Sequence, residues 1–233
     1  MKFQLLPNPE EVFSENVEKH SQILFPLLTV ELNDIDSALS GFVHFILPFE
    51  PNDTVGLETE KYHTYYSRCN WLAYKVQNNK CVLEPGFSFL QFNYIKSHSD
   101  FKNHFCGVDS YLDNLSNDLN NELIKINSNY SKIKNHYSSQ TERCNKFLKY
   151  FEQYTEPFND IGSTFPTQVS PIDNIDYPIT QDGRLFKYIG QLDVTDFTFY
   201  DENKKRVSLN ADFNIVLYYD PVKQIVLNTF SYW

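Results

Sequence analysis

Two groups of residues in the C-terminal third have the types and spacing to do chemistry. Gln168, Gln191 and Asp193 combine two carboxamides with a carboxylate, a set whose donors and acceptors can orient a polar ligand in a cleft. The acids Asp173, Asp176, Asp193, Asp196, Asp201 and Glu202 recur every few residues. Pairs such as Asp173 with Asp176, or Asp193 with Asp196, have the spacing for acid/base work. In a chain with 30 acids, however, such pairs are expected on solvated turns. The six are therefore expected to form a surface for a basic partner rather than a catalytic dyad.

Other constellations are weaker. The densest metal-capable stretch, "HSDFKNHFC", carries His98, Asp100, His104 and Cys106, and its spacing matches no standard zinc pattern. The cysteines Cys69, Cys81, Cys106 and Cys144 contain no CxxC pair and are expected as free thiols. His44, His63 or His104 could serve a cysteine nucleophile as base, but no GxSxG elbow or local hydrolase context selects a pair. The seven glycines are unclustered, and neither a Walker loop nor GxGxxG occurs. No metal, no cofactor and no enzymatic activity are expected.

The net charge of −10 is uneven: −9 over residues 1–60, +5 over 61–151 and −6 over 152–233. Acidic flanks repel nucleic acid and anionic lipid and attract cationic proteins. The 16 tyrosines and 20 phenylalanines lie on strands within or beside acidic segments, so they are expected in the core and as interface anchors, not as base-stacking platforms. The longest apolar run, "FVHFILPF", is broken by His44 and Pro48 and falls short of the roughly 20 residues a spanning helix needs. The N-terminal "MKFQLLPNPEEVF" lacks an apolar h-region and a cleavage site, which leaves a cytoplasmic location as the expectation.

The elements that must position these residues read as α+β. Asn8, Pro9 and Glu11 form a helix-start signature, and Val12, Phe13, Val17, His20 and Leu24 fall on one face of the helix it predicts. Residues 41–97 have strand texture, including "WLAYKVQ" and "GFSFLQFNYI" with turns at "QNNK" and "EPG". Leu112, Leu115, Leu119, Leu123, Ile126, Tyr130, Ile133 and Tyr137 form an apolar stripe at helical spacing. After "SSQTE" the stripe resumes from Cys144 to Tyr154, giving one bent helix or a helical hairpin. From Pro157, "DGRLFKYIGQLDV", "DFTFY", "NIVLYYD" and "KQIVLNTFSYW" are strand candidates. In "YPITQDGRLFKYIGQLD", Asp182-Gly183 is expected to turn a hairpin that Gln191 and Asp193 close. The expected organisation is a single α+β domain over 1–233, with antiparallel β-rich N-terminal (1–108) and C-terminal (157–233) parts and a helical segment (109–156) between them.

The run "IGSTFPTQVSP", followed by "YPITQDGRLFKYIGQLDV" and "NIVLYYDP", resembles the YwqG-like family of bacterial proteins. The residues carrying the resemblance are Gly162, Pro166, Gln168, Pro178, Asp182, Gly183, Gln191, Leu192, Asp193, Tyr218, Tyr219 and Asp220. It covers about residues 160–221. The resemblance implies a cytosolic α+β protein without established enzymatic activity, in a family some of whose members look like immunity proteins of bacterial toxin systems.

Two functions follow as expectations. The first is a monomeric immunity protein that occludes a basic toxin through its acidic surface, independent of nucleic acid and membrane. The alternative is a small-ligand protein or enzyme with a polar cleft at Gln168, Gln191 and Asp193. A weaker third is an assembly protein that uses the Leu112 to Tyr137 stripe as a seam.

Overall fold

The fold is α+β, with antiparallel sheets from both ends of the chain and a long helix between them in sequence. The structure is a computed structural model that describes residues 3–50, 54–57, 59–90, 109–138, 165–209 and 211–232; of 109–119 and 232 only the backbone is described. A three-stranded sheet is built in the order β1 (Phe3–Leu5), β2 (Leu24–Glu31), β3 (Phe42–Pro48). A five-stranded sheet takes β4 (Trp71–Gln77) and β5 (Lys80–Leu83) from the N-terminal half, and β8 (Lys187–Asp193), β11 (Phe213–Asp220) and β12 (Ile225–Tyr232) from the C-terminal half. Its order is β5-β4-β12-β11-β8, every pairing antiparallel. Two small hairpins, β6 (Thr167–Val169) with β7 (Asp176–Pro178) and β9 (Phe199–Tyr200) with β10 (Arg206–Val207), complete the β structure.

Local chemistry explains the sharpest features. Asn78 and Asn79, in the "QNNK" turn, both adopt left-handed backbone (φ 51 and 63), the pattern of a two-residue type I′ hairpin whose twist matches its strands. Side chains alternate along β11: Phe213, Ile215, Leu217 and Tyr219 enter one core, and Val216 and Tyr218 a second. The first core lies between the two sheets. The second is mainly aromatic, with Trp71, Tyr66, Phe165, Phe186 and Tyr218 fully or nearly buried. Burying each such side chain contributes roughly 1.5 to 3 kcal/mol.

The helix α3 (Asp109–Ser138) closes the first core. Leu123, Ile126, Tyr130, Ile133 and Tyr137 of its stripe are buried. The Tyr130 hydroxyl donates to the Pro26 carbonyl at 2.6 Å, and that of Tyr137 to the Asp196 carbonyl at 2.7 Å. From Leu123 onward the stripe is thus spent inside the chain, which leaves that part unavailable as an assembly seam. The expected continuation from Cys144 to Tyr154 lies outside the described residues.

Three local expectations are corrected. The N-terminal helix is two one-turn helices, α1 (Pro9–Val12) and α2 (Val17–His20), because Phe13 leaves helical backbone to bridge Cys81, and Asn16 turns left-handed (φ 48). Its capping residue behaves as read, with Glu11 accepting from the Asn8 backbone N–H at 3.0 Å. Within "GFSFLQFNYI", Phe87–Phe89 is a single 3-10 turn rather than strand, and the residues after Leu90 lie outside the described ones. Asp182-Gly183 does turn a hairpin, with Gly183 at φ 78, the Thr180 N–H donating to the Arg184 carbonyl at 2.8 Å and the Phe186 N–H to the Pro178 carbonyl at 2.9 Å, but the hairpin ends there and Gln191 and Asp193 do not close it. The strand that follows pairs with β11, not back on β7.

Candidate functional site

Three acids of the expected surface are held by different local devices. Asp193 caps the 3-10 turn at Val194–Asp196, accepting from the Thr195 N–H at 2.8 Å and its hydroxyl at 2.7 Å. Asp201 accepts from the N–H groups of Asn203 and Lys205, both at 2.9 Å, which shapes the turn between β9 and β10. Asp173 takes the Tyr177 hydroxyl at 2.7 Å, which holds its carboxyl below the usual range. Asp176, Asp196 and Glu202 are exposed.

The six acids fall into two sets on opposite sides of the five-stranded sheet. Asp193, Asp196, Asp201 and Glu202 belong to one segment whose Val194, Phe197 and Val207 enter the first core, beside α3. Asp173 and Asp176 belong to the β6–β7 hairpin, whose Tyr177 packs on the aromatic core behind the sheet.

Two exposed apolar side chains stand among these acids. Tyr200 is 69% exposed at the end of β9, next to Asp201 and Glu202. It lines an open groove of about 650 Å³ between that hairpin and the last turns of α3, where His136 stacks on Phe199 at 4.0 Å. Ile172 is 94% exposed at the tip of the β6–β7 hairpin, beside Asp173. Neither was singled out from sequence. The available signal was a large apolar residue immediately followed by acids at a turn, in "FYDEN" and "SPID".

Gln168, Gln191 and Asp193 are distributed over two sheets. Gln168 is exposed on β6, and Asp193 is committed to its turn. Gln191 is buried on β8, directly beside Val216, and its Oε1 has no hydrogen-bond partner among the described residues.

The Asp182-Gly183 turn has a structural task. Arg184 Nη2 binds Asp220 Oδ2 at 2.9 Å and Nη1 binds Asp182, while Lys223 Nζ reaches Asp182 at 3.3 Å. The bond to Asp220, followed by that to Asp182, raises the Arg184 pKa. Asp220, 1% exposed, also accepts from the Val222 and Lys223 N–H groups. The Asp182-Gly183 turn and the sequence-distant Asp220 thus meet around Arg184, which the sequence reading did not single out.

The nucleophile candidates are likewise committed. His44 is bonded through Nδ1 to the Thr29 hydroxyl at 2.9 Å and through Nε2 to the Asn79 carbonyl at 3.0 Å. Burial pushes its pKa down to about 4, so the ring is neutral at pH 7. Burial also raises the pKa values of Cys81 and Cys69. His63 bonds the Gly56 carbonyl at 2.9 Å. Among the described residues no three His, Cys, Asp or Glu side chains converge as for a metal. "HSDFKNHFC", with His104 and Cys106, and Cys144 lie outside those residues.

No helix among the described residues is long and apolar enough to cross a membrane. No family model, no curated protein and no solved structure matches the chain.

Proposed function

We propose that this chain is a binding protein that stoichiometrically occludes a basic partner protein, as an immunity protein occludes its cognate bacterial toxin. The observation that carries this reading is Tyr200, exposed at the rim of the groove against α3 and flanked by Asp201 and Glu202. A tyrosine offers a large contact area with few rotors to freeze, and adjacent carboxylates favour a cationic partner and speed its encounter. The net charge of −10 and the YwqG-like resemblance support the same reading. Asp193, Asp196, Asp201 and Glu202 then make the primary contact, with Asp173, Asp176 and Ile172 forming a separate acidic finger behind the sheet.

The test is co-expression with the toxin encoded beside it, together with titration of the purified pair. Protection, one-to-one association at micromolar concentration or tighter, and an association rate that falls with salt are the expected results. No protection and no association would end the proposal. The alternative polar-ligand cleft has less support, because Gln168 and Gln191 lie in different sheets and Asp193 is engaged by Thr195.

A further inference from the structure

Helix α1, the Asn78–Asn79 turn and the outer rows of the three-stranded sheet enclose a groove of about 560 Å³, within the range that holds small ligands. None of the acids of the occlusion surface lines it. Phe42 supplies an aromatic wall on the same face as Thr29 and His44, which are buried and form a polar floor, whereas Phe3 touches only the edge because its pairing with Val30 turns it to the core face. Glu10 and Glu11 stand at its rim.

The hydrogen bonds of the floor fix what it offers. The Asn79 carbonyl only accepts, so His44 Nε2 carries the ring proton, and Nδ1 accepts from the Thr29 hydroxyl. With its proton committed, the Thr29 oxygen presents lone pairs. At the rim Glu11 accepts from Gln4 Nε2 at 2.7 Å, and both glutamates carry negative charge. The one cation lining the groove, Lys80, donates its ammonium to the Glu10 backbone carbonyl at 2.7 Å. The groove therefore combines acceptors and carboxylates with one aromatic wall, and its buried imidazole is bonded at both nitrogens.

We propose that this groove binds a small organic cation, an ammonium carried on a flat apolar body. The body would lie against Phe42, and the ammonium would donate to Thr29 and the rim carboxylates, with the ring face adding cation–π attraction. A carboxylate of the same shape would meet two glutamates and several acceptor oxygens, against one cation, Lys80, already engaged by the Glu10 carbonyl.

The experiment compares phenethylammonium with phenylacetate, matched in shape and opposite in charge, by titration calorimetry and NMR on the full chain at pH 7. The expected result is saturable binding of phenethylammonium with a Kd on the order of 1 mM, as suits so few atoms, and at least about tenfold weaker binding of phenylacetate. Resonances of the Thr29 methyl and His44 ring should shift during the titration. The double variant Glu10→Gln, Glu11→Gln keeps polar side chains at exposed positions and a capping oxygen at residue 11, so it should fold and lose the preference for the cation. Equal binding of the two ions, absence of saturation, shifts confined to other residues, or a preference that survives in the double variant would each overturn the proposal. The double variant also separates the groove from general attraction to an acidic protein, since most of the net charge remains in place.

Discussion

Asp220 and Asp201 occupy the same local geometry and have opposite fates. Each stands at the end of a strand and accepts hydrogen bonds from backbone N–H groups in the tight turn that comes next: Val222 and Lys223 for Asp220, Asn203 and Lys205 for Asp201. Asp220 is 1% exposed and also binds Arg184, which joins its turn to the one at Asp182-Gly183. Asp201 lines the open groove beside Tyr200. Local turn chemistry is therefore shared, and what separates a structural aspartate from one available to a partner is the tertiary cation that one acquires and the other does not.

The strongest way to break this comparison is to truncate both. Asp220→Ala should cost about 3 kcal/mol, because it removes the partner of Arg184 from a buried position and with it the acceptor that closes its turn. Asp201→Ala should cost less than about 1 kcal/mol, since its turn stays hydrated. Urea denaturation measures both, and equal losses would show that the turns carry the energy while the arginine adds nothing.

The buried-against-exposed distinction should also appear in the pH dependence of stability. His44 has its folded pKa depressed to about 4 from 6.5, so the unfolded chain binds more protons between these values. Its contribution is complete above about pH 6.5 and is lost as pH falls towards 4, amounting to roughly 2 to 3 kcal/mol. His20, also depressed by burial, acts in the same direction. The exposed carboxyl of Asp173, lowered by the Tyr177 hydroxyl, contributes only to losses that begin near its unfolded pKa of about 4. His44→Gln should flatten the stability curve between about pH 6.5 and 4 and leave its course below that range unchanged. A slope unaltered by this substitution would assign the acid sensitivity to the surface instead.

How much of this was legible in the sequence follows the same division. Local signals survived folding: the "QNNK" hairpin and the Asn8–Glu11 cap rest on contacts within a few residues, and the "WLAYKVQ" strand and the α3 stripe are marked by residue spacing, although their partners are distant. Long-range contacts were not legible. The N-terminal helix breaks because Phe13 bridges Cys81, 68 positions away. Strand β8 pairs with β11 instead of closing a hairpin, which puts Gln191 beside Val216 in the interior. The list of acids was readable, but not its division by the sheet into two sets, because that depends on which core Phe197 and Tyr177 enter.

On the exposed side, Tyr200→Ala should leave stability within about 0.5 kcal/mol of the parent, since the ring is 69% exposed. It should weaken binding of the proposed basic partner by about thirtyfold, the loss typical of a central interface aromatic. Ile172→Ala, on the opposite side of the sheet, serves as the comparison. A larger loss there would move the primary contact to the β6–β7 finger.

The smallest predicted effect separates the two turns by backbone alone. The Asp182 turn places a glycine at its left-handed position, Gly183 with φ 78, whereas the Asp201 turn places Lys204 there with φ 59. No atom lies within 4 Å of where a Gly183 side chain would begin, so Gly183→Ala should cost only the conformational penalty, about 1 kcal/mol. Lys204→Gly should gain about 0.5 kcal/mol, the relief of left-handed backbone less the greater entropy glycine loses on folding. Thermal denaturation of the two variants tests the pair. Opposite signs would mean that the turn joined to Arg184 is conformationally relaxed while the one at the groove stores strain, which is the direction expected where a surface is kept for binding rather than for stability.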